Sequence, residues 1–315
     1  MANQDDIRVS VCVVTYNQEN YISECLQSLV DQQTDFLFEI IVGEDCSEDS
    51  TRDIVEEFAR THPHLIVRNY HDKNVGAVEN IVTSYRLARG MYISHLDGDD
   101  YASPGKLQAQ YDALKANPDC VICSHDVKIV SRNGELIKPS FKTKPEGKYT
   151  LLELYKELPF FAHSSKMFVN DLFQSYWSDL HADALDIEVH VAQCKMGSIY
   201  HIDRTLGAYR SMSGMSVLNS SINPALVHGV DRIFKSALNE SRIDPEALRK
   251  CYAKAMFNYA YQSALVGDKK GIKKYIRKSI SISRYSSVQA LFYYMSKVPI
   301  VVMKICKLRS KIKGY

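Results

Sequence analysis

No window of this 315-residue sequence offers the ~20 uninterrupted apolar residues that a membrane-spanning helix needs. The N-terminus, Met-Ala-Asn-Gln-Asp-Asp-Ile-Arg, has no apolar stretch before the first candidate strand, so no secretory leader is expected and a cytoplasmic protein is. Glycine and proline are scarce, 14 and 9 residues, which excludes collagen-like and low-complexity chains. The eight cysteines, at 12, 25, 46, 120, 123, 194, 251 and 306, form no framework, and reduced thiols are expected. Cys120 and Cys123 have redox or zinc spacing, but they lie in an apparent strand, where positions three apart face opposite sides, and no second pair exists. No Gly-x-Gly-x-x-Gly or Walker loop follows the first strand, which argues against a dehydrogenase or a P-loop enzyme. His163, His181 and His201 are dispersed, and a zinc site is not expected.

Acidic residues are missing altogether from residues 269–315, which hold 13 of the 39 Lys and Arg. The formal net charge of +2 therefore conceals an acidic body of 26 basic against 37 acidic side chains, followed by a basic tail. Such tails meet phosphate on lipid headgroups or nucleic acid. Within the tail, Val298, Val301, Val302, Ile305, Leu308 and Ile312 fall on one helical stripe and Lys297, Lys304 and Lys311 on another, after the apolar Leu291-Phe-Tyr-Tyr-Met295. Two readings follow. Either residues 291–315 rest on an anionic membrane surface, making the protein peripheral on the inner membrane face, or the helix docks on its own domain with its lysines in water. No nucleic-acid partner is expected.

The rest alternates. Residues 8–15 read as a buried strand, and Tyr21, Ile22, Cys25, Leu26, Leu29 and Val30 as a helix. Strands at 38–42, 65–67 and 91–96 are separated by helices after Ser50 and over 75–89, the second stopped by Gly90. A helix over 104–116 and a strand over 121–130 follow, and Arg132-Asn-Gly134 turns the chain into Glu135-Leu-Ile137. This is an α/β chain with a mostly parallel sheet and flanking helices. From about 224 onward only helices are expected. A polar stretch, Asn219-Ser-Ser-Ile-Asn-Pro224, suggests domains of 1–220 and 221–315.

Ligands of parallel sheets bind beyond the carboxyl ends of the strands. The first strand delivers Thr15, Tyr16 and Asn17 there, the second Glu44 and Asp45, and the fourth Asp97-Gly-Asp-Asp100. Like charges converging on one crevice are costly without a cation, and Mn2+ or Mg2+ takes hard oxygen ligands from one or two carboxylates while leaving positions for phosphates. Asp97 and Asp99 project the same way, one able to reach the metal and the other a ribose hydroxyl. Glu48, Asp49 and Ser50 sit where the next helix needs its N-terminal caps.

These motifs resemble family 2 glycosyltransferases of the GT-A, Rossmann-like fold. The resemblance covers residues 7 to about 218 and rests on Val-Ser-Val-Cys-Val-Val-Thr-Tyr-Asn (9–17), Ile-Ile-Val-Gly-Glu-Asp-Cys-Ser-Glu-Asp-Ser-Thr (40–51) and Arg-Gly-Met-Tyr-Ile-Ser-His-Leu-Asp-Gly-Asp-Asp (89–100). It implies that Thr15, Tyr16 and Asp45, beside Asn17, hold the nucleoside of a nucleotide-sugar donor, a UDP-sugar, with Asp97 near the ribose and Asp99 on the metal. The family's catalytic base lies at a helix start before a Gly and a strand, which implies Asp186 in Leu185-Asp-Ile-Glu-Val189, with Asp183 as a rival. Arg210 in Tyr209-Arg-Ser-Met-Ser-Gly aligns with a diphosphate-binding element, although Met212 stands where the family often has His. The implied reaction is inverting sugar transfer to a hydroxyl of a glycan or polyprenyl-linked acceptor in surface polysaccharide or lipopolysaccharide synthesis. Acceptor-facing residues are sought at Phe160, Phe161, His163, Ser164 and Ser165. Two further readings stay open: a sugar-nucleotide-binding protein with weak turnover, and a nucleotidyltransferase, whose usual Gly-rich activating loop is absent at Thr-Tyr-Asn-Gln-Glu-Asn.

Overall fold

The computed structural model describes residues 7–170, 184–211, 217–218, 221–240 and 243–312. Its elements in chain order begin β1 (Ile7–Thr15), α1 (Ile22–Val30), β2 (Leu37–Glu44), α2 (Thr51–Thr61), β3 (Ile66–Tyr70), α3 (Ala77–Leu87) and β4 (Tyr92–Asp97). Next come β5 (Tyr101–Ala102), α4 (Lys106–Ala116), β6 (Cys120–Val130), β7 (Leu136–Lys138), β8 (Gly147–Tyr149) and α5 (Leu151–Lys156). Then β9 (Met167–Val169), α6 (Asp186–Cys194), β10 (Ser198–Arg210), β11 (Val217–Leu218) and β12 (Ser221–Ile222) lead into α7 (Pro224–Glu240), α8 (Pro245–Val266), α9 (Lys269–Ile282), α10 (Ser287–Met295) and α11 (Pro299–Ile312). The chain divides into two compact units. One comprises Met1–Leu151 and Pro159–Met212, the other Leu152–Leu158 and Ser213–Tyr315.

The first unit is built on one sheet in the order β3-β2-β1-β4-β9-β6-β10-β5, with β7 on β6 and β8 on β10. The pairs β3/β2, β2/β1, β1/β4 and β6/β10 are parallel. Strands buried on both faces need unbroken apolar runs rather than alternation, and Val9, Val11, Cys12 and Val13 beside Ile40, Ile41 and Val42 supply them, all fully buried. Gly90 enters β4 where a Cβ would lie 2.5 Å from the backbone nitrogen of Ser10, so only glycine lets the helix-to-strand turn approach β1 so closely. Cys120 and Cys123 are buried free thiols, as are five of the other six cysteines.

The exception to parallel order positions the site. Strand β9 runs antiparallel to both neighbours, β4 and β6, so it starts at the end of the sheet where they finish. Residues 163–166, just ahead of it, are thereby carried to the carboxyl ends of the parallel strands. Strand β10 runs alongside β6 and pairs antiparallel with β5, Ala208 opposite Tyr101. That register sets Tyr209 and Arg210 beside Asp97-Gly-Asp-Asp100.

The second unit is helical from Pro224 onward, as the periodicity predicts. The polar stretch read as a loop near 220 instead contains part of a short hairpin, β11 with β12. Among the described residues no helix is long and apolar enough to cross a membrane.

Candidate active site

The first wall of the site joins the ends of β1 and β2. Asn17 adopts a left-handed φ of 51°, a conformation asparagine tolerates better than most residues. Its side chain accepts from the Glu48 N–H at 2.8 Å, and its own N–H donates to Ser47 Oγ at 3.0 Å. Thr15 is buried, its hydroxyl 2.8 Å from Gln18 Oε1, whereas Tyr16 is 41% exposed and free to face a planar ligand. The buried Asp45 carboxylate accepts the N–H groups of Val75 at 2.7 Å and Gly76 at 2.9 Å. One bond per oxygen fixes it at the entry to α3 while leaving acceptor capacity. Glu44 is paired with Arg52, and Asp49 rather than Ser50 provides the cap of α2, accepting from Thr51 N at 2.9 Å.

The second wall is the Asp97-Gly-Asp-Asp100 turn. A Cβ on Gly98 would come within 2.5 Å of Gln18 Oε1 and 2.9 Å of Thr15 Cβ, so glycine is needed where the turn crosses the end of β1. Asp97 Oδ1 lies 3.1 Å from His95 Nε2, and its Oδ2 accepts from the Ser164 hydroxyl at 3.1 Å. Burial pushes Asp97 up, but His95, Ser164 and the charge of Lys166 outweigh it and hold the carboxyl below its ordinary range. Asp99 goes the other way: burial and the charge of Asp97 push it up to about 6. Burial, then Asp97 and Asp99, also push up Asp100. One Asp100 oxygen accepts from Arg210 N at 2.7 Å, and the other is buried without a hydrogen-bond donor.

The third wall carries Asp186, the first residue of α6. Its carboxylate accepts from Ile187 N at 2.8 Å, and burial pushes its pKa up. Glu188 closes the same helix start by accepting from Leu185 N at 2.9 Å. The rival Asp183, and also His181 and Met212, lie outside the described residues. Tyr209 ties the walls together. Its phenol is pushed up to about 12 by burial and then by the charges of Asp100, Asp97, Asp99 and Asp186, so the fields of all four carboxylates reach one phenol.

Cations among these acids come partly from the chain itself. Lys106 and Lys166 are fully buried. Burial lowers Lys106 to about 8, against the charges of Cys25, Asp100 and Asp97, and lowers Lys166 to about 7, against Asp186 and Asp97. Asp99 and Asp100 are still pushed up, by burial first and by the neighbouring carboxylates second. That pair of hard-oxygen carboxylates, with one buried Asp100 oxygen lacking a donor, fits a divalent cation such as Mn2+ or Mg2+.

Several residues differ from their expected placement. Arg210, 3% exposed, donates from Nε to the carbonyl of Asp99 at 2.9 Å, from one terminal nitrogen to Ser131 and Arg132 carbonyls at 3.2 and 3.0 Å, and from the other to Glu24 at 2.6 Å. It also packs over the ring of Tyr21. This makes it a clamp between loops, with four of its five N–H groups taken. Phe160, Phe161 and Ser165 are buried rather than acceptor-facing. His163 is not isolated: its Nδ1 lies 3.0 Å from His190 Nε2, and its ring packs 4.0 Å from that of His95. Ligand atoms of His163, Asp186 and His190 lie within 4.8 Å of one another, but the two imidazoles already hydrogen-bond each other, so an ion would have to break that bond. His190, Lys166 and Lys106 escaped the sequence reading. The available signals were a lysine directly ahead of the apolar Met167-Phe-Val and another on the buried stripe of α4 with Leu107, Gln110 and Leu114.

Residues 10–177 match the family model "Glycosyl transferase family 2", which is more than half of the chain. The chain belongs to family 2 of the glycosyltransferases. This family 2 member is 28% identical over 210 residues to an uncharacterized protein of Mycobacterium tuberculosis, a stretch covering 64% of this chain and 58% of that one; it thus spans under two thirds of that relative. The structure of Staphylococcus aureus TarS 1–349 in complex with UDP-GlcNAc superposes with a TM-score of 0.66 at 18% identity, covering 98% of this chain and 92% of the other. The mannosyltransferase PcManGT of Pyrobaculum calidifontis, in complex with GDP-Man and Mn2+, gives 0.55 at 14% identity over 96% and 87%. Both likenesses show the GT-A fold, including the C-terminal helical region.

Proposed function

We propose that this family 2 member transfers a sugar from a UDP-sugar to a hydroxyl of a glycan or polyprenyl-linked acceptor, with inversion, in surface polysaccharide synthesis. The observation that carries the reading is that Asp97, Asp99 and Asp100 on one turn and Asp186 at the start of α6 act electrostatically on the same groups, Tyr209 and, for Asp97 and Asp186, Lys166: acids suited to a metal-diphosphate group lie near an acid suited to proton abstraction. TarS was solved with UDP-GlcNAc and PcManGT with GDP-Man and Mn2+, which supports a nucleotide-sugar donor and a divalent ion here.

In this reading Tyr16 and the buried Thr15 and Asp45 receive the nucleoside, and Asn17 acts by locking the β1 and β2 loops around it. Asp97, kept ionised by His95, accepts from the ribose. Asp99, with Asp100 behind it, holds the Mn2+ or Mg2+. A bound ion supplies Lewis-acid neutralisation of the leaving diphosphate. Asp186 takes the acceptor proton, and the burial that raises its pKa brings it nearer the working pH of a general base. A single displacement from the opposite face of the sugar needs no covalent intermediate. Arg210 contributes by holding the Asp99 carbonyl through its Nε and the Asp100 carboxylate through its backbone N–H. A polyprenyl-linked acceptor would be met at a membrane face, for which the basic segment 291–315 is suited.

The test is a panel of nucleotide sugars assayed for release of the nucleoside diphosphate with and without Mn2+. Release with one uridine donor, dependent on the metal, is expected. Binding without release would favour a non-catalytic sugar-nucleotide-binding protein instead.

A further inference from the structure

The helical unit contains a cavity of about 210 Å3 lined by Lys273, Arg277, Tyr293, Ser296 and Lys297. At roughly 30 Å3 per water it has room for a tetrahedral phosphate and its ester oxygen. None of its three cations has a carboxylate partner among the described residues, and the chain from 269 onward contains no acid to supply one. The acids just upstream are engaged: Asp231 pairs with Lys278, and Asp268 caps α9 through Gly271 N.

Beside this cavity runs an apolar face that the described residues leave uncovered. Helix α11 docks on its own unit through Val302 and Cys306, both buried. The expected single stripe is thus split, because Val302 belongs to the docked face. Val298, Val301, Ile305 and Leu308, spaced 3, 4 and 3 apart, point outward at 56, 43, 48 and 62% exposure, with exposed Lys304 and Lys307 interleaved. Tyr294 and Leu291 on α10 are exposed as well. Lys297, which lines the cavity, is the residue directly before Val298.

We infer that this segment is an anionic-lipid site: the cavity takes the phosphate of a headgroup, and the outward face of α11 enters the acyl boundary beside it. The charge selects this occupant. A second copy meeting the same face would set one acid-free basic segment against another, and like charges across an interface oppose association. A bilayer with anionic headgroups satisfies both features, with apolar residues in the boundary and lysines reaching up to the phosphates. The inference is independent of the sugar-transfer reading, since its readout is partitioning and not turnover.

The experiment is cosedimentation of the full chain with phosphatidylcholine vesicles and with vesicles containing phosphatidylglycerol. Binding to the second and not the first is expected. The triple substitution Lys273→Gln, Arg277→Gln, Lys297→Gln is expected to weaken it on the order of a hundredfold, from about 1 kcal/mol for each charge near an anionic surface. The pair Val298→Ser and Ile305→Ser should weaken it separately, and Lys273→Arg with Lys297→Arg should retain it. Circular dichroism checks folding of each variant; all these side chains are exposed. Equal binding by the parent and the triple variant, equal binding to neutral vesicles, or complete displacement by inorganic phosphate would each overturn the proposal, the last by assigning the cavity to free phosphate. Self-association abolished by Val298→Ser and Ile305→Ser, without vesicle binding, would overturn it too.

Discussion

His95 Nε2 and Asp97 Oδ1 lie 3.1 Å apart, two residues along β4 and therefore on the same face of the sheet. The other imidazole nitrogen lies 2.8 Å from the buried Tyr85 hydroxyl, so an acid at the crevice mouth is tied to the interior. Replacing His95 by Phe removes the bond that keeps Asp97 ionised. Loss of about 1 to 3 kcal/mol is typical for such a buried partner, so kcat/KM should fall about tenfold or more, and its acid limb should move to higher pH. A pH profile checks this; an unchanged limb contradicts the role given to His95.

Asp99 titrates in the opposite sense. Its folded pKa of about 6 exceeds the roughly 3.9 of an unfolded aspartate, so its contribution to stability is fully present below about pH 4 and is lost as pH rises through about 6. Asp99→Asn removes a charge that the fold disfavours. Without metal it should stabilise the protein by about 1 to 2 kcal/mol at pH 8, allowing for solvent screening, and by nothing measurable at pH 4. Thermal melts at the two pH values decide.

Lys166 holds Asp186 and Asp97 down by its charge. In Lys166→Met the pKa of Asp186 should rise further, and the acid limb of kcat should shift upward by about one pH unit, the equivalent of ~1.4 kcal/mol. Lys166→Arg, which keeps the charge, should shift it less.

Arg210 separates a clamp from a ligand. Its Glu24 partner is largely exposed, but truncating the guanidinium leaves the carbonyls of Asp99, Ser131 and Arg132 without their donor, at about 1 kcal/mol or more each, so Arg210→Ala should lower the denaturant midpoint markedly. If Arg210 instead bound the diphosphate, Arg210→Ala would keep its stability and lose only donor affinity.

How much was legible depended on which force placed each residue. Asp97 and Asp99 could be read because an apolar strand ends directly before them, and strand ends in parallel sheets face one crevice. Tyr209 and Arg210 were legible as a motif, but the clamp depends on β10 pairing with β5, a contact about a hundred residues apart that no local pattern encodes. Lys106 and Lys166 are charges in buried positions, which composition and periodicity assign to the surface. His163 and His190 meet only because β9 reverses direction and α6 returns to its start. In α11 the period was right and the facing was not, since six apolar positions exceed what one docked face covers.

The central claim is that metal-binding and proton-abstracting acids share one crevice, and its most direct test is Asp186→Asn, measured by both calorimetry and turnover. The expected result is donor binding with Mn2+ at parental affinity and turnover reduced about a thousandfold, within the usual range for loss of a general base. Turnover at the parental rate in this variant, or no binding of any nucleoside diphosphate with Mn2+ by the parent, would contradict it.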